Sequence, residues 1–237
     1  MSGHSKWKTI KQKKGALDAK KGKIFSKLSK EISIAARGGG DPNFNFGLRL
    51  AIDRAKAFNM PKDNIDRAVV KGAGGGEAGE LKELVYEGFG PAGSAFIVTV
   101  LTDNPNRSAS DIKHIFSKNG GNMGAPGSVM WQFEKSGIVR FKKEDLDRDE
   151  LELELIDAGA EDLKEEDEDL VVVSKVENLQ KVKEAVDKKN IPIESASIEY
   201  IAKEEVDINE EDEVKAERLM DALDDNDDVS DIFTNIK

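Results

Sequence analysis

The run Gly72-Ala73-Gly74-Gly75-Gly76 divides the chain into two parts with different grammars. Before it, apolar residues recur at helical spacing. After it, short β-rich runs alternate with helical segments. Four glycines in five residues favour a break, and a flexible run of this kind reads as a hinge or linker. The charge also changes sign there. Residues 1–71 hold 17 Lys/Arg against 6 Asp/Glu, and the remaining 166 residues hold 19 against 41. The net charge of −11 therefore conceals a basic end on an acidic body. Because the Debye length is only ~8–10 Å at physiological salt, the two do not cancel at a surface. A basic module of this sort can grip a polyanion by one face while the rest repels it. The glycine run is not a phosphate loop, since no Gly-Lys-Ser/Thr closes it.

Within the basic end, residues 1–15 are lysine-rich with a single Trp and read as a flexible arm. A helix is expected from Ala16 to Arg37, with Leu17, Ile24, Leu28, Ile32 and Ala35 near one face. Gly38-Gly39-Gly40 stops it. Asp41-Pro42 has the form of an N-cap and first helical residue. Phe44, Leu48, Ala51, Ile52, Ala55 and Phe58 then give a second helix its stripe. Asn59-Met60-Pro61-Lys62 reads as a tight turn, and Pro61 opens a third helix through Lys71 with Ile65, Ala68 and Val69 inward. Three short amphipathic helices make a small bundle, none being stable alone.

In the acidic body, strands are expected at Leu84–Glu87, Ala95–Thr102, Ser128–Phe133, Ile138–Phe141, Asp169–Val173, Ala196–Ala202 and Val229–Ile236. Helices are expected at Asn106–Lys118, Val176–Lys188 and Glu210–Leu223. Asp145–Ala158 reads as a helix, although alternating Leu151, Leu153 and Leu155 also suit a strand. The expected fold class is α+β: an N-terminal three-helix domain plus two α+β (ferredoxin-like sandwich) domains, one inserted in the other. The boundaries are 1–75 for the arm and helical domain, 80–135 plus 205–237 for the middle domain, and 136–203 for the insert.

Catalytic and metal-binding patterns are absent. The chain has no cysteine and two histidines, His4 and His114, in no ligand spacing. Gly-x-Ser-x-Gly does not occur. The carboxylate runs Glu165–Asp169, Glu210–Glu213 and Asp224–Asp228 read as solvated surface, because unpaired buried charge is costly. No apolar run approaches the ~20 residues of a membrane span, and no signal-type segment follows the basic start. The expectation is a cytoplasmic, monomeric, non-enzymatic protein with no cofactor, no metal and no small-molecule substrate.

The basic residues carry the positive signal. Lys6, Lys8, Lys11, Lys13, Lys14, Lys20, Lys21, Lys23, Lys27 and Lys30, followed by Arg37, form a lysine-dominated stretch suited to phosphate oxygens rather than base edges. Trp7 among them is placed to stack on a base. The competing reading is a basic tail that pairs with the protein's own acidic body. Arg49, Arg54 and Lys56 add to the basic surface or serve as ordinary helix charge. Gly120 to Ser128 contains Asn122, Met123, Gly124, Ala125, Pro126, Gly127 and Ser128, a shaped and exposed backbone able to approach a partner, or else a permissive connection. Met130 and Trp131 read as core. Asn104, Asn106 and Arg107 read as a helix cap or a contact site.

Several long segments together carry a resemblance. They are MSGHSKWKTIKQKKGALDAKKGKIFSKLSKEI, GGGDPNFNFGLRLAIDRAKAFNMPKDNIDRA, YEGFGPAG, TDNPNRSASDIKHIF and GGNMGAPGSVMWQFE. In this order they closely resemble the YebC family of bacterial transcriptional regulatory proteins, which includes the mitochondrial translational activator of cytochrome c oxidase. The similarity runs from the arm to the DIFTNI near the end. It implies a three-domain, two-lobed, cytoplasmic and non-enzymatic protein. It also implies a nucleic-acid partner. Some family members are described as DNA-binding transcription regulators, others as ribosome-associated factors that relieve stalling on proline-rich stretches.

Overall fold

The computed structural model describes residues 17–74, 81–142, 148–166 and 168–237, with side chains from residue 21 onward. The arm, including Lys6, Trp7, Lys8, Lys11, Lys13 and Lys14, lies outside the described residues, as do Gly75 and Gly76. The chain divides into two compact units, one of residues 1–134 with 201–237 and one of residues 135–200.

The first unit begins with three helices, α1 (Leu17–Ala35), α2 (Phe46–Ala57) and α3 (Lys62–Gly72). They bury Leu28, Ile32, Leu48, Ala51, Ala55, Ile65 and Ala68 against one another. The connection between α1 and α2 differs from the sequence expectation. Asp41 does not cap α2. It accepts from the backbone N–H and side-chain amide of Asn43, closing a turn. Asn45 is the N-cap, taking the Leu48 N–H at 3.0 Å while its own amide donates to the carbonyls of Ala35 and Gly39. One side chain thus satisfies groups at the end of one helix and the start of the next. As a result Phe44 falls before α2 rather than in its stripe and is 92% exposed. Gly72, expected in the hinge, is the last residue of α3. A Cβ there would collide with the Ser33 carbonyl of α1, so close helix approach requires glycine.

The same unit continues with β1 (Lys82–Phe89), β2 (Ala95–Thr102), α4 (Pro105–Lys118) and the short β3 (Asn122–Met123). After the second unit it resumes with α7 (Glu210–Asp224) and β8 (Val229–Thr234). The sheet order is β3-β1-β2-β8, and the β1–β2, β1–β3 and β2–β8 pairs are antiparallel. Phe96, Val98 and Val100 of β2 pack with Ile112 and Phe116 of α4 and Leu219 and Leu223 of α7. Ile97 and Leu101, which alternate with them, are buried too. A strand covered on both faces reads as a continuous apolar run, which is what Ala95–Thr102 shows. Ser128–Phe133 is not a strand. A single 3₁₀ turn spans Met130–Gln132, and the next strand begins at Phe133.

The second unit contains α5 (Arg148–Asp157), β5 (Ala160–Glu166), β6 (Asp169–Lys175) and α6 (Leu179–Lys188). It shares β4 (Phe133–Lys142) and β7 (Ile193–Ala202) with the chain crossings into the first unit. Its sheet order is β5-β6-β4-β7. The segment holding Leu151, Leu153 and Leu155 is the helix α5. Leu151 and Leu155, four apart, are buried and Leu153 is exposed. Strand β5 was not expected from the sequence. It carries Glu161, Asp162, Lys164, Glu165 and Glu166 at the sheet edge, where charge disguises the strand and discourages pairing with another chain. Arg140 of β4 and Glu199 of β7 form a buried two-pronged ion pair, at 2.5 and 2.9 Å. Among the described residues no helix is long and apolar enough to cross a membrane.

Candidate nucleic-acid interface

The basic face of α1 is met by an acidic one. Lys23 donates to the Asp225 carbonyl at 3.2 Å. Lys27 donates to the Asp224 carbonyl and reaches its carboxylate at 3.2 Å. Lys30 donates to the Asp227 carbonyl at 3.0 Å and to the Asp228 carboxylate at 2.7 Å. Arg54 of α2 pairs with Asp231 at 2.7 Å and Glu31 at 3.3 Å. Burial opposes the charge on Arg54, but these two carboxylates outweigh it and hold its pKa above the ordinary value. Three of these cations meet the carbonyl-rich end of α7 and the turn after it, where the helix dipole also favours positive charge.

Asp228 corrects the reading of its run as solvated surface. Its side chain is only 7% exposed. Its carboxylate accepts from Lys30, Arg107 (2.8 Å), Ser108 (2.8 Å) and Thr102 (3.1 Å). Burial alone would raise its pKa, and the Arg107, Lys30 and Ser108 hydrogen bonds overcome that and lower it. Asn104 is the N-cap of α4, taking the Arg107 N–H, so the cap reading holds for it, while Arg107 itself turns onto Asp228.

The other expected cations are placed differently. Lys20 and Lys21 lie on α1. Arg37 follows α1 and donates to the Leu81 carbonyl at 2.6 Å. Lys56 is exposed on α2. Arg49 lies with its guanidinium 5.6 Å from the Phe46 ring centre, and its Nε has no hydrogen-bond partner among the described residues.

The glycine loop is organised by a residue that the sequence did not single out. Glu87 of β1 is buried, and its carboxylate accepts the backbone N–H groups of Gly127 (2.6 Å), Val129 (2.8 Å) and Met130 (2.7 Å). Burial pushes its pKa up, and the three N–H groups more than reverse this, so that it lies below the ordinary value. The Glu87 carbonyl also takes the Gly124 N–H, and Asn122 and Met123 pair with Phe89 and Gly88. Gly127, at φ +87°, lets the chain reverse into this cradle. Ala125, Pro126 and Gly127 are left exposed at the tip. Trp131, expected in the core, is 68% exposed instead, because the 3₁₀ turn rotates it outward while Val129 and Phe133 point in.

A basic helical module joined to an α+β body with a second α+β unit inserted in it is the class that this fold defines. The chain belongs to the TACO1/YebC family: the N-terminal domain of TACO1/YebC proteins matches residues 5–75, and the second and third domains match residues 81–236. A probable transcriptional regulatory protein of Thermoanaerobacter pseudethanolicus is 49% identical over 100% of this chain and 97% of its own length. One of Caldanaerobacter subterraneus subsp. tengcongensis is 47% identical over 100% and 98%. The crystal structure of a conserved hypothetical protein from Aquifex aeolicus matches with a TM-score of 0.84 and 42% identity, over 93% of this chain and 92% of that one.

Proposed function

We propose that the chain is a non-enzymatic regulator of gene expression that binds nucleic acid mainly through the phosphate backbone, as a DNA-binding transcriptional regulator. The observation that carries this reading is the charge division, 17 Lys/Arg against 6 Asp/Glu in residues 1–71 on an otherwise acidic chain. Relatives named as probable transcriptional regulatory proteins point the same way. Lys23, Lys27 and Lys30 are engaged by the acidic turn and Arg54 by Asp231 and Glu31, so the proposed phosphate contacts centre on Lys6, Lys8, Lys11, Lys13, Lys14 and Lys20, with Trp7 beside them and Arg37, Arg49 and Lys56 as flanking cations. The mechanism is electrostatic: each lysine that neutralises a phosphate releases a counterion, so binding weakens as salt rises.

A second reading, a ribosome-associated translation factor contacting rRNA or tRNA, is favoured by the loop that Glu87 holds in one shape with Asn122 to Ser128 presented on it. Replacing Lys11, Lys13, Lys14, Lys20 and Lys21 by Gln should weaken binding and flatten its salt dependence by roughly 0.7–0.9 log units per lost contact. Unchanged binding would overturn both readings. A transcriptional regulator should prefer its operator over scrambled duplex by ~10³-fold or more. A translation factor should instead co-sediment with ribosomes and lose that association when Gly124 to Gly127 are replaced.

A further inference from the structure

We propose that Trp131 is a stacking platform for an unpaired nucleobase, a nucleic-acid contact additional to those of the basic arm. This rests on the nucleic-acid reading above. Exposing an indole is costly, since burying a large apolar side chain stabilises a fold by ~1.5–3 kcal/mol. Yet the Trp131 ring is held in place rather than left to move. Its Nε1 donates to the Ser128 carbonyl at 3.2 Å, and its own carbonyl accepts from Lys203 at 3.0 Å. On one side Val129 and Met130 are tied to Glu87; on the other Gln132 exchanges backbone bonds with Val129 and Lys203. An aromatic ring already fixed loses little conformational freedom on binding.

The chemistry of the surroundings selects the partner. The indole N–H is already used, so the ring offers only its π-face. That suits base stacking, which is tolerant of sequence because every base has such a face. The charge is also right. From Ile112 to Phe133 the chain has no Asp or Glu, in a region where 41 of the 166 residues after Lys71 are acidic. Glu87, which holds the loop, is buried and satisfied by backbone N–H groups. His114 and Lys118, one turn apart on α4, are exposed at the entry to the loop. The stretch is bounded by Asp111 on α4 and by Glu134 after Phe133, and Glu204 follows Lys203. Trp131 thus lies in a stretch of 22 residues without a carboxylate, which favours the approach of a polyanion.

The test uses the full chain with Trp7→Phe, which leaves Trp131 as the sole one of the two tryptophans. Titration with single-stranded oligouridylate should quench its emission. Trp131→Ala in the same background should bind about 5- to 150-fold more weakly, the equivalent of the ~1–3 kcal/mol of one stacked base. The salt dependence should stay the same, because no phosphate contact is lost. Trp131→Phe should recover part of the affinity. Emission that does not respond while the oligonucleotide binds would overturn the inference and leave the proposed function standing. An equal loss for duplex and single strand would also overturn it. No binding of either nucleic acid by the chain with Trp7 intact would remove the functional reading itself. The emission measurement needs no change at residue 131, so it decides the matter even if Trp131→Ala folds poorly.

Discussion

Asp228 and Glu87 are both buried carboxylates of the first unit, and their charge is met by opposite means. Asp228 is met by side chains, Lys30 from α1, Arg107 and Ser108 from α4 and Thr102 from β2. Glu87 is met by the backbone of one loop. The first arrangement ties separate elements together and draws the helical module onto the sheet. The second ties β1 to one loop and fixes the shape of that single segment. A buried charge can thus act as a clamp or as a mould, depending on whether its partners are mobile cations or amides already in the chain.

The largest expected effect is from Asp228→Ala. It leaves Lys30 and Arg107 facing each other without their common anion, and should cost about 3 kcal/mol in chemical denaturation. A loss under ~1 kcal/mol would mean that solvent replaces the carboxylate and that the clamp is not one. Glu87→Gln should cost about 2 kcal/mol, because an amide NH₂ then faces N–H donors. Amide exchange at Gly127, Val129 and Met130 should accelerate while that of α1 stays slow. If α1 responds as strongly, the two sites are not separate.

Acid should strain both sites. Each carboxyl has its folded pKa lowered, so each contributes stability that is present above the unfolded value near ~4 and is lost as pH falls from there toward the folded value. Stability should therefore fall with pH below ~4 in the wild type, and less steeply in a chain carrying both substitutions. The smallest effect separates the two chemistries. Raising salt to ~1 M, where the Debye length is ~3 Å, should reduce the cost of Asp228→Ala by a few tenths of a kcal/mol and leave that of Glu87→Gln unchanged.

The elements with a strong period were legible. AFIVTVLT announces a buried strand, and the Ile65, Ala68 and Val69 spacing marks the inner face of α3. Asn104 was recognisable as a cap. What escaped depends on contacts far apart in sequence. Nothing in Asp-Asp-Asn-Asp-Asp distinguishes Asp228 from its solvated neighbours until Lys30 and Arg107 arrive from other elements. Glu87 looks like any strand acid until the loop at 127–130 folds over it. Trp131 and Phe44 were assigned inward because large aromatics usually are. Local turns, a 3₁₀ turn in one case and the Asp41–Asn43 turn in the other, rotate them into solvent. Among the described residues, the competing reading of the basic stretch as a partner for the protein's own acids describes Lys23, Lys27 and Lys30.

The pairing of Lys30 with Asp228 spans 198 positions, and Thr99 of β2 meets Asp231 of β8 across 132. Translation at ~5–20 residues per second places on the order of 10–40 seconds between the synthesis of that lysine and of its anion. The residues of the second unit are complete well before β8 exists. On every nascent chain, then, the positively charged helices emerge into an RNA-rich setting before their own counter-charge has been made, and the clamp is among the last contacts to close.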